Sequence, residues 1–298
     1  MKIAVLMSTY NGEKYLDEQL KSLADQTVLN EMTVYIRDDG SGDQTISIVR
    51  SWEEKLKIVL FKENNIGPAL SFWKLLMNTE IKADYYAFCD QDDIWDENKL
   101  EAAIDRLKDD THLYVCNSRK IDENGNIVFL KQMETQSVIS IPMLFVSGIA
   151  QGCSMVFTDS LRQYLIEKKI QCIPMHDIIL MLYAVQYGKI FWDRIPHFCY
   201  RIHSNNVLAK ENKTLVQKIK TTCWSWKNCA RNSMADVANE MIGNCENLSE
   251  IDKEFLFNVA DYKDVLPKKI KILTDKRLGK VNKRALRAYR IKVIWNLL

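Results

Sequence analysis

Residues 85–93 read Tyr85-Tyr86-Ala87-Phe88-Cys89-Asp90-Gln91-Asp92-Asp93: a short apolar run that ends abruptly in three carboxylates within four positions. Aromatic and apolar residues closed by a polar cluster predict a buried strand. The same grammar occurs three times upstream. Lys2–Met7 is an apolar strand followed by Ser8-Thr9-Tyr10-Asn11-Gly12. Met32–Ile36 is rich in β-formers and ends in Arg37-Asp38-Asp39-Gly40-Ser41, and Lys57–Phe61 is a further strand before the turn Asn64–Pro68. Helical spacing fills the intervals. Leu16, Leu20 and Leu23 share one face, Asp43 caps a helix carrying Ile46, Val49 and Trp52, and Pro68 starts one carrying Leu70, Trp73, Leu76 and Met77. Strands alternating with helices imply a parallel sheet covered on both faces, which binds ligands outside the carboxyl ends of its strands. Ser8–Gly12, Arg37–Ser41 and Asp90–Asp93 are therefore expected to converge on one crevice.

Beyond Leu107 the pattern is less regular. His112–Cys116 reads as a strand, Asp122–Asn126 as a hairpin tip with Asn-Gly at its turn, and Cys153–Phe157 as a strand entered through Gly148 and Gly152. Asp177–Gln186 is an apolar helix beside His176, Lys189–Asp193 and His197–Arg201 read as a final strand pair, and the chain is helical from about Asn212.

The 298 residues, 47% apolar and 27% charged, suit one large α/β domain with an appendage. No stretch approaches the ~20 apolar residues of a membrane span. The N-terminal apolar run is too short for a signal peptide and meets no small-residue cleavage site, so a cytoplasmic location is expected. None of the eight cysteines is spaced as C-x-x-C, which argues for reduced core cysteines over a zinc or disulfide framework. Charge is uneven. Between Pro267 and Leu298 eleven Lys and Arg face one acid, Asp275; that net +10 leaves −8 for the remainder of a chain whose total is +2. A basic tail on an acidic body points to an anionic partner for the tail.

Three clusters bear chemistry. The carboxylates of Asp90, Asp92 and Asp93 repel one another unless something offsets them. Either a hard cation such as Mg²⁺ or Mn²⁺, keeping positions open for substrate phosphates, does so, or the cluster is a solvated turn capping the helix from Glu97. In Arg37–Asp43 a carboxylate can accept from the N3–H of a pyrimidine; the same residues also suit a plain turn with an Asp N-cap. Ser8–Glu13 lacks the glycine patterns of a P-loop or a dinucleotide fold, leaving a helix N-terminus as its anion-attracting feature.

In order and spacing, STYNGEKYL, RDDGSGDQT, NIGPALSF and FCDQDDIW resemble glycosyltransferase family 2 enzymes of the GT-A fold, in particular the bacterial rhamnosyltransferase-like group that shares DQDDIW. The resemblance extends to about residue 207 through GIAQGCSM (148–155), His176-Asp177 and Tyr200–Asn206. It implies a GT-A, Rossmann-like α/β fold, a mostly parallel sheet flanked by helices. Residues 1–207 would form the catalytic domain (1–100 the nucleotide half, 101–207 the acceptor half) and 208–298 a helical extension with the basic tail. Thr9, Tyr10, Asn11 and Glu13 would line the nucleoside pocket, and Asp38 or Asp39 would contact the base. Asp90 and Asp92 would form the D-x-D pair holding Mn²⁺ or Mg²⁺ and the ribose-diphosphate, with Asp92 and His203 as metal ligands and Arg201 neutralising the leaving diphosphate. Gln151, Gly152 and His176 would sit by the acceptor.

Asp177 would be the general base. Where the family commonly has a Glu-Asp pair, this chain has His176-Asp177, so the Asp is retained and its neighbour differs. A carboxylate that takes the acceptor hydroxyl's proton during a single displacement inverts the anomeric centre, while the metal stabilises the leaving diphosphate. A simple helix N-terminal acid is the competing reading of Asp177. The implied function is an inverting, metal-dependent glycosyltransferase. It would move a sugar, L-rhamnose by the subgroup, from a dTDP- or UDP-linked donor to a lipid-linked or oligosaccharide acceptor, a growing bacterial surface polysaccharide. The alternatives are a non-catalytic sugar-nucleotide- or glycan-binding protein on the same fold, disfavoured by the intact Asp90, Asp92, Asp177 and His203, and a nucleotidyltransferase, which would need a basic Gly-rich loop. Residues 280–298 mix basic and apolar positions as an amphipathic helix does, either peripherally bound at an anionic inner membrane face or packed on the protein. No nucleic-acid-binding module accompanies the charge.

Overall fold

The computed structural model describes residues 1–108, 110–131, 139–203 and 233–298. Ser204–Asn206 of the last motif, the expected boundary at 207/208, the expected helix start near Asn212, Cys223 and Cys229 lie outside the described residues. Two compact units emerge: the described residues of Met1–Ser137, Ala150–Lys169 and Met175–His203, and those of Val138–Ile149, Ile170–Pro174 and Ser204–Leu298.

The first unit is built on a sheet. β1 (Ile3–Thr9) lies between β2 (Met32–Asp38) and β4 (Tyr85–Cys89), and β3 (Ile58–Lys62) flanks β2, all parallel. β1 is apolar on both faces, Ile3 to Met7 being buried, because helices cover both sides of a parallel sheet. α1 (Leu16–Ala24) lays Leu16, Leu20 and Leu23 into that core, each fully buried and each contributing about 2 kcal/mol by burial. α2 (Thr45–Ser51) and α3 (Pro68–Met77) follow β2 and β3; Asp43 accepts from the Thr45 amide at the mouth of α2, and Pro68 opens α3. Leu70, placed by its spacing on the inner face of α3, is 44% exposed instead. α4 (Lys99–Leu107) leads into the second half of the sheet, starting two residues beyond Glu97.

Beyond β4 the sheet is mixed. The order runs β3-β2-β1-β4-β8-β6-β9-β5, with β7 on β6. β5 (Ile94–Trp95), β6 (Thr111–Ile121), β7 (Ile127–Phe129), β8 (Met155–Thr158) and β9 (Lys189–Arg201) make up this half, with α6 (Asp159–Glu167) and α7 (His176–Tyr187) against it. Asp122–Asn126 is the tip of the β6–β7 hairpin, its Asp122 carboxylate accepting from the Asn124 and Asn126 amides. The expected strand pair at 189–201 is one strand, parallel to β6. Pro196 reads as a break, yet it sits opposite Asn117 where the ladder shifts register, so its missing N–H costs no bond.

The second unit is helical among its described residues. α5 (Ile141–Val146) packs Phe145 edge-on against Phe255 of α9 (Glu250–Ala260) at 5.6 Å. α8 (Ser233–Asn244) packs on α9, α9 on α10 (Leu266–Thr274), and α10 on α11 (Lys283–Ile294). Ser249 caps α9 and Asn282 caps α11 through their side-chain oxygens. The six described cysteines are free thiols. No described helix is long and apolar enough to cross a membrane.

Candidate active site

Strand register brings the clusters together. Thr9 pairs with Asp38 across β1 and β2, and Met7 with Cys89 across β1 and β4, so three chains leave the sheet side by side. Side chains then lace them. Asp38, 3% exposed, accepts from the Thr9 hydroxyl at 3.0 Å and from the Ser41 amide at 2.9 Å. The Asn11 amide donates to the Ser41 hydroxyl, and the Asn11 side-chain carbonyl accepts from the Gly42 amide, both at 2.9 Å. Glu13 accepts from the Gln44 amide, and its own amide donates to Asp43. Asn11 and Glu13 thus join the first loop to the second. Tyr10 is half-exposed above this seam.

Asp39 is buried, and its carboxylate accepts from the Arg37 guanidinium, the Ile66 amide and the Gly67 amide. It therefore anchors the turn after β3. Gln91 is a residue that motif reading passed over. Its side chain accepts from the Tyr10 amide at 2.9 Å and donates to the Tyr10 carbonyl at 3.1 Å, stitching the β4 loop to the β1 loop. A Cβ at Gly12 would lie 2.3 Å from the Gln91 carbonyl oxygen, so glycine is required for that approach.

The carboxylate loop follows. Asp92 Oδ2 lies 2.6 Å from His203 Nε2, and the His203 ring packs on Tyr15 with centroids 5.0 Å apart. Asp93 is fully buried; one oxygen accepts from the Arg201 amide and the other has no hydrogen-bonding partner. Asp90, Asp93 and Cys153 present ligand atoms within 4.8 Å of one another. Burial, with the Asp92 charge next, pushes Asp90 up to about 7. Burial and the Asp92 and Asp90 charges push Asp93 well above the usual carboxylate range. Such a set suits a divalent cation: carboxylate oxygen donors and an imidazole gathered at one strand end. The Asp92–His203 spacing is close to the ~3 Å between neighbouring ligands of a six-coordinate ion with ~2.1 Å bonds.

Arg201 is placed differently from the expectation. Its guanidinium is fully buried, donates to the Asp92 carbonyl at 3.0 Å, the Glu123 carbonyl at 3.2 Å and the Glu18 carboxylate at 2.5 Å, and stacks on Tyr15. It braces the carboxylate loop from beneath. Lys99 is another residue missed in sequence. It is fully buried with its ammonium 3.2 Å from the Trp95 ring centroid, and burial lowers its pKa.

Asp177 begins α7, where burial raises its carboxyl to about 6 while backbone amides of Ile178, Asp177 and Gly152 favour its charged form. The Gly152 amide that favours its charged form belongs to the residue before Cys153, whose thiol lies within 4.8 Å of Asp90, so the base candidate stands near the carboxylate loop. His176 faces inward, stacked on Phe72 at 4.3 Å and edge-on to Phe88 at 4.8 Å, with neither ring nitrogen hydrogen-bonded. Burial lowers it to about 3, so it is neutral packing. A Cβ at Gly152 would meet its Nε2 at 2.5 Å. Gln151 precedes Gly152, and Cys153 is buried with its thiol pushed far up, away from the thiolate a nucleophile needs.

Known proteins resemble this chain in sequence and fold. dTDP-rhamnosyl transferase RfbG of Shigella flexneri is 28% identical over 268 residues, which cover 85% of this chain and 90% of that protein. The structure of Staphylococcus aureus TarS 1-349 in complex with UDP-GlcNAc superposes with a TM-score of 0.62 at 21% identity, spanning 100% of this chain and 89% of that one. Mannosyltransferase PcManGT from Pyrobaculum calidifontis, in complex with GDP-Man and Mn²⁺, superposes at 0.54 with 14% identity, spanning 99% and 87%. At those identities the two structures speak for the GT-A-like fold alone. The model of the family described as "Glycosyl transferase family 2" matches residues 4–165, over half the chain. With β1–β4, the carboxylate loop and β8 all inside that match, the chain belongs to glycosyl transferase family 2 and is a glycosyltransferase.

Proposed function

We propose that this chain is an inverting, metal-dependent glycosyltransferase that uses a dTDP- or UDP-linked donor, with L-rhamnose as the sugar, to extend a bacterial surface polysaccharide such as a capsule. The observation that carries the reading is that Asp177, through the Gly152 amide and Cys153, stands near Asp90 and the Asp92–His203 pair. A single displacement requires a base on the acceptor side of the sugar and groups that hold the leaving diphosphate on the other. Likeness to a dTDP-rhamnosyl transferase over most of the chain supports the donor, and the Mn²⁺ complex of a protein of the same fold supports the metal.

In this reading Asp92 and His203, with Asp90, hold Mn²⁺ or Mg²⁺; the ion, when bound, neutralises charge on the leaving diphosphate. Thr9, Tyr10, Asn11 and Glu13 shape the nucleoside pocket. Asp38 or Asp39 meets the base; an ionised carboxylate has lone pairs beyond those its present donors use. Arg201 acts on the diphosphate through the loop it braces. Asp177 accepts the acceptor hydroxyl's proton, and a carboxyl near 6 is largely ionised at neutral pH yet basic enough to take it. Gln151 and Gly152 border the acceptor, and His176 holds Gly152 from below. Residues 1–100 serve the donor and 101–207 the acceptor. A lipid-linked acceptor would place the enzyme peripherally at the inner membrane face.

The test is the anomeric configuration of the product. Proton NMR coupling constants of the transferred sugar, compared with those of the donor, should report inversion; retention would overturn the displacement and the role of Asp177.

A further inference from the structure

Several apolar side chains of the helical unit point to solvent. On α11, Tyr289 and Val293 are buried, while Ile291 is 38%, Ile294 54% and Trp295 69% exposed. Arg284 and Arg287 are exposed on the turns preceding them, and helical spacing puts them on the same outward side as Ile291 and Ile294. On α10, Ile272 is buried, while Leu266 is 66% and Ile270 52% exposed, one turn apart. The two helix ends are joined: the Lys269 ammonium donates to the Ile294 carbonyl and to the Asn296 side chain, both at 2.8 Å. The apolar ridge beside Lys269 and the apolar end of α11 therefore form neighbouring parts of one surface.

We propose that this surface, made by the outward sides of α10 and α11, docks on an anionic lipid bilayer. A large exposed indole with two neighbouring isoleucines would be an aggregation liability in water but fits the boundary between headgroups and acyl chains. The charge fits the same occupant. Eleven basic residues and one acid lie between Pro267 and Leu298, and the lone acid, Asp275, is engaged by Arg277. Lys268 and Lys271 pair with Asp261 and Glu254, which leaves the exposed arginines Arg284 and Arg287 beside the apolar residues for an anionic surface. One side of α11 is fixed in the unit by Tyr289 and Val293, and the other carries the residues free to meet lipid. The surface deepens the reading of a lipid-linked acceptor, and its test needs neither donor nor metal, so the two stand or fall separately.

The experiment is co-sedimentation of the full chain with phosphatidylcholine vesicles, with and without phosphatidylglycerol, across a salt series. Binding should require phosphatidylglycerol and weaken with salt. Ile294→Asp with Trp295→Asp should lower partitioning at least tenfold, as should Arg284→Glu with Arg287→Glu, with circular dichroism unchanged. Brominated lipids should quench wild-type tryptophan fluorescence more than that of Trp295→Phe, a variant that leaves the fold intact. Failure to bind anionic vesicles, equal binding by wild type and both double variants, equal quenching of Trp295→Phe, or tighter binding to an oligonucleotide than to the vesicles would each overturn the proposal.

Discussion

His203 Nε2 lies 2.6 Å from Asp92 Oδ2, across 111 residues of sequence. This pair closes the carboxylate loop from the far end of the sheet-bearing unit. If it is a metal site, His203→Ala should raise the Kd for Mn²⁺ by about 10- to 100-fold, a range typical of losing one supporting group. Calorimetric titration of Mn²⁺ checks this. Unchanged affinity would make His203 a structural partner of Asp92.

Asp177 should give the reaction its acid limb. Its carboxyl sits near 6, raised by burial, and a base works only when ionised. Transfer should therefore rise with pH through about 6 and level off above it. Asp177→Asn should lower kcat by about 10²- to 10⁴-fold, the usual contribution of a positioned base, and leave donor affinity within a few-fold. Initial rates across pH, with nucleotide binding measured alongside, decide it. A large loss of donor binding would move Asp177 into the nucleotide site.

His176 predicts a pH dependence of stability. Its folded pKa, lowered by burial to about 3, lies below its ordinary 6.5. The folded state thus binds fewer protons than the unfolded chain between those values, so stability present above 6.5 is lost as pH falls toward 3. A single such group contributes a slope of about 1.4 kcal/mol per pH unit. His176→Phe, which keeps a ring between Phe72 and Phe88, should flatten that slope in denaturant melts from pH 6.5 to 4.5, an interval inside the window. An unchanged slope would place the titration elsewhere.

Arg201 should matter for the fold as well as for the reaction. Arg201→Met leaves the Asp92 and Glu123 carbonyls without their donor, at a cost of about 1–3 kcal/mol, while the half-exposed Glu18 carboxylate can turn to water. Urea melts should show that loss. Glu18→Gln, which keeps an acceptor on a half-exposed side chain, should cost far less. Equal costs would mean that the carbonyl contacts contribute little.

The strand ends were legible in the sequence because apolar runs and the polar residues that close them are local signals. Ser8–Gly12, Arg37–Ser41 and Asp90–Asp93 meet as the alternation of strands and helices implies. What failed to show were groups whose partners are distant. The guanidinium of Arg201 is held by Glu18, 183 residues earlier, and no spacing rule reports that. Gln91 passed as a spacer between aspartates; its place between two carboxylates, with Gly12 opposite, was the available hint. The single strand Lys189–Arg201 was expected as a pair, because sequence does not reveal where a ladder shifts register and so tolerates Pro196. His176 looked like an acceptor contact through its neighbour Asp177, whereas helix geometry sends consecutive residues to different sides and burial claims the histidine.

The central claim, a metal-assisted nucleotide-sugar site at the carboxyl ends of β1, β2 and β4, is tested most directly by calorimetric titration. dTDP, UDP and GDP are each titrated with and without Mn²⁺ into wild type and Asp92→Ala. The account predicts binding of dTDP or UDP that depends on Mn²⁺ and is lost in the variant. Absence of binding by all three nucleotides with metal present, or binding undiminished in Asp92→Ala, would contradict it.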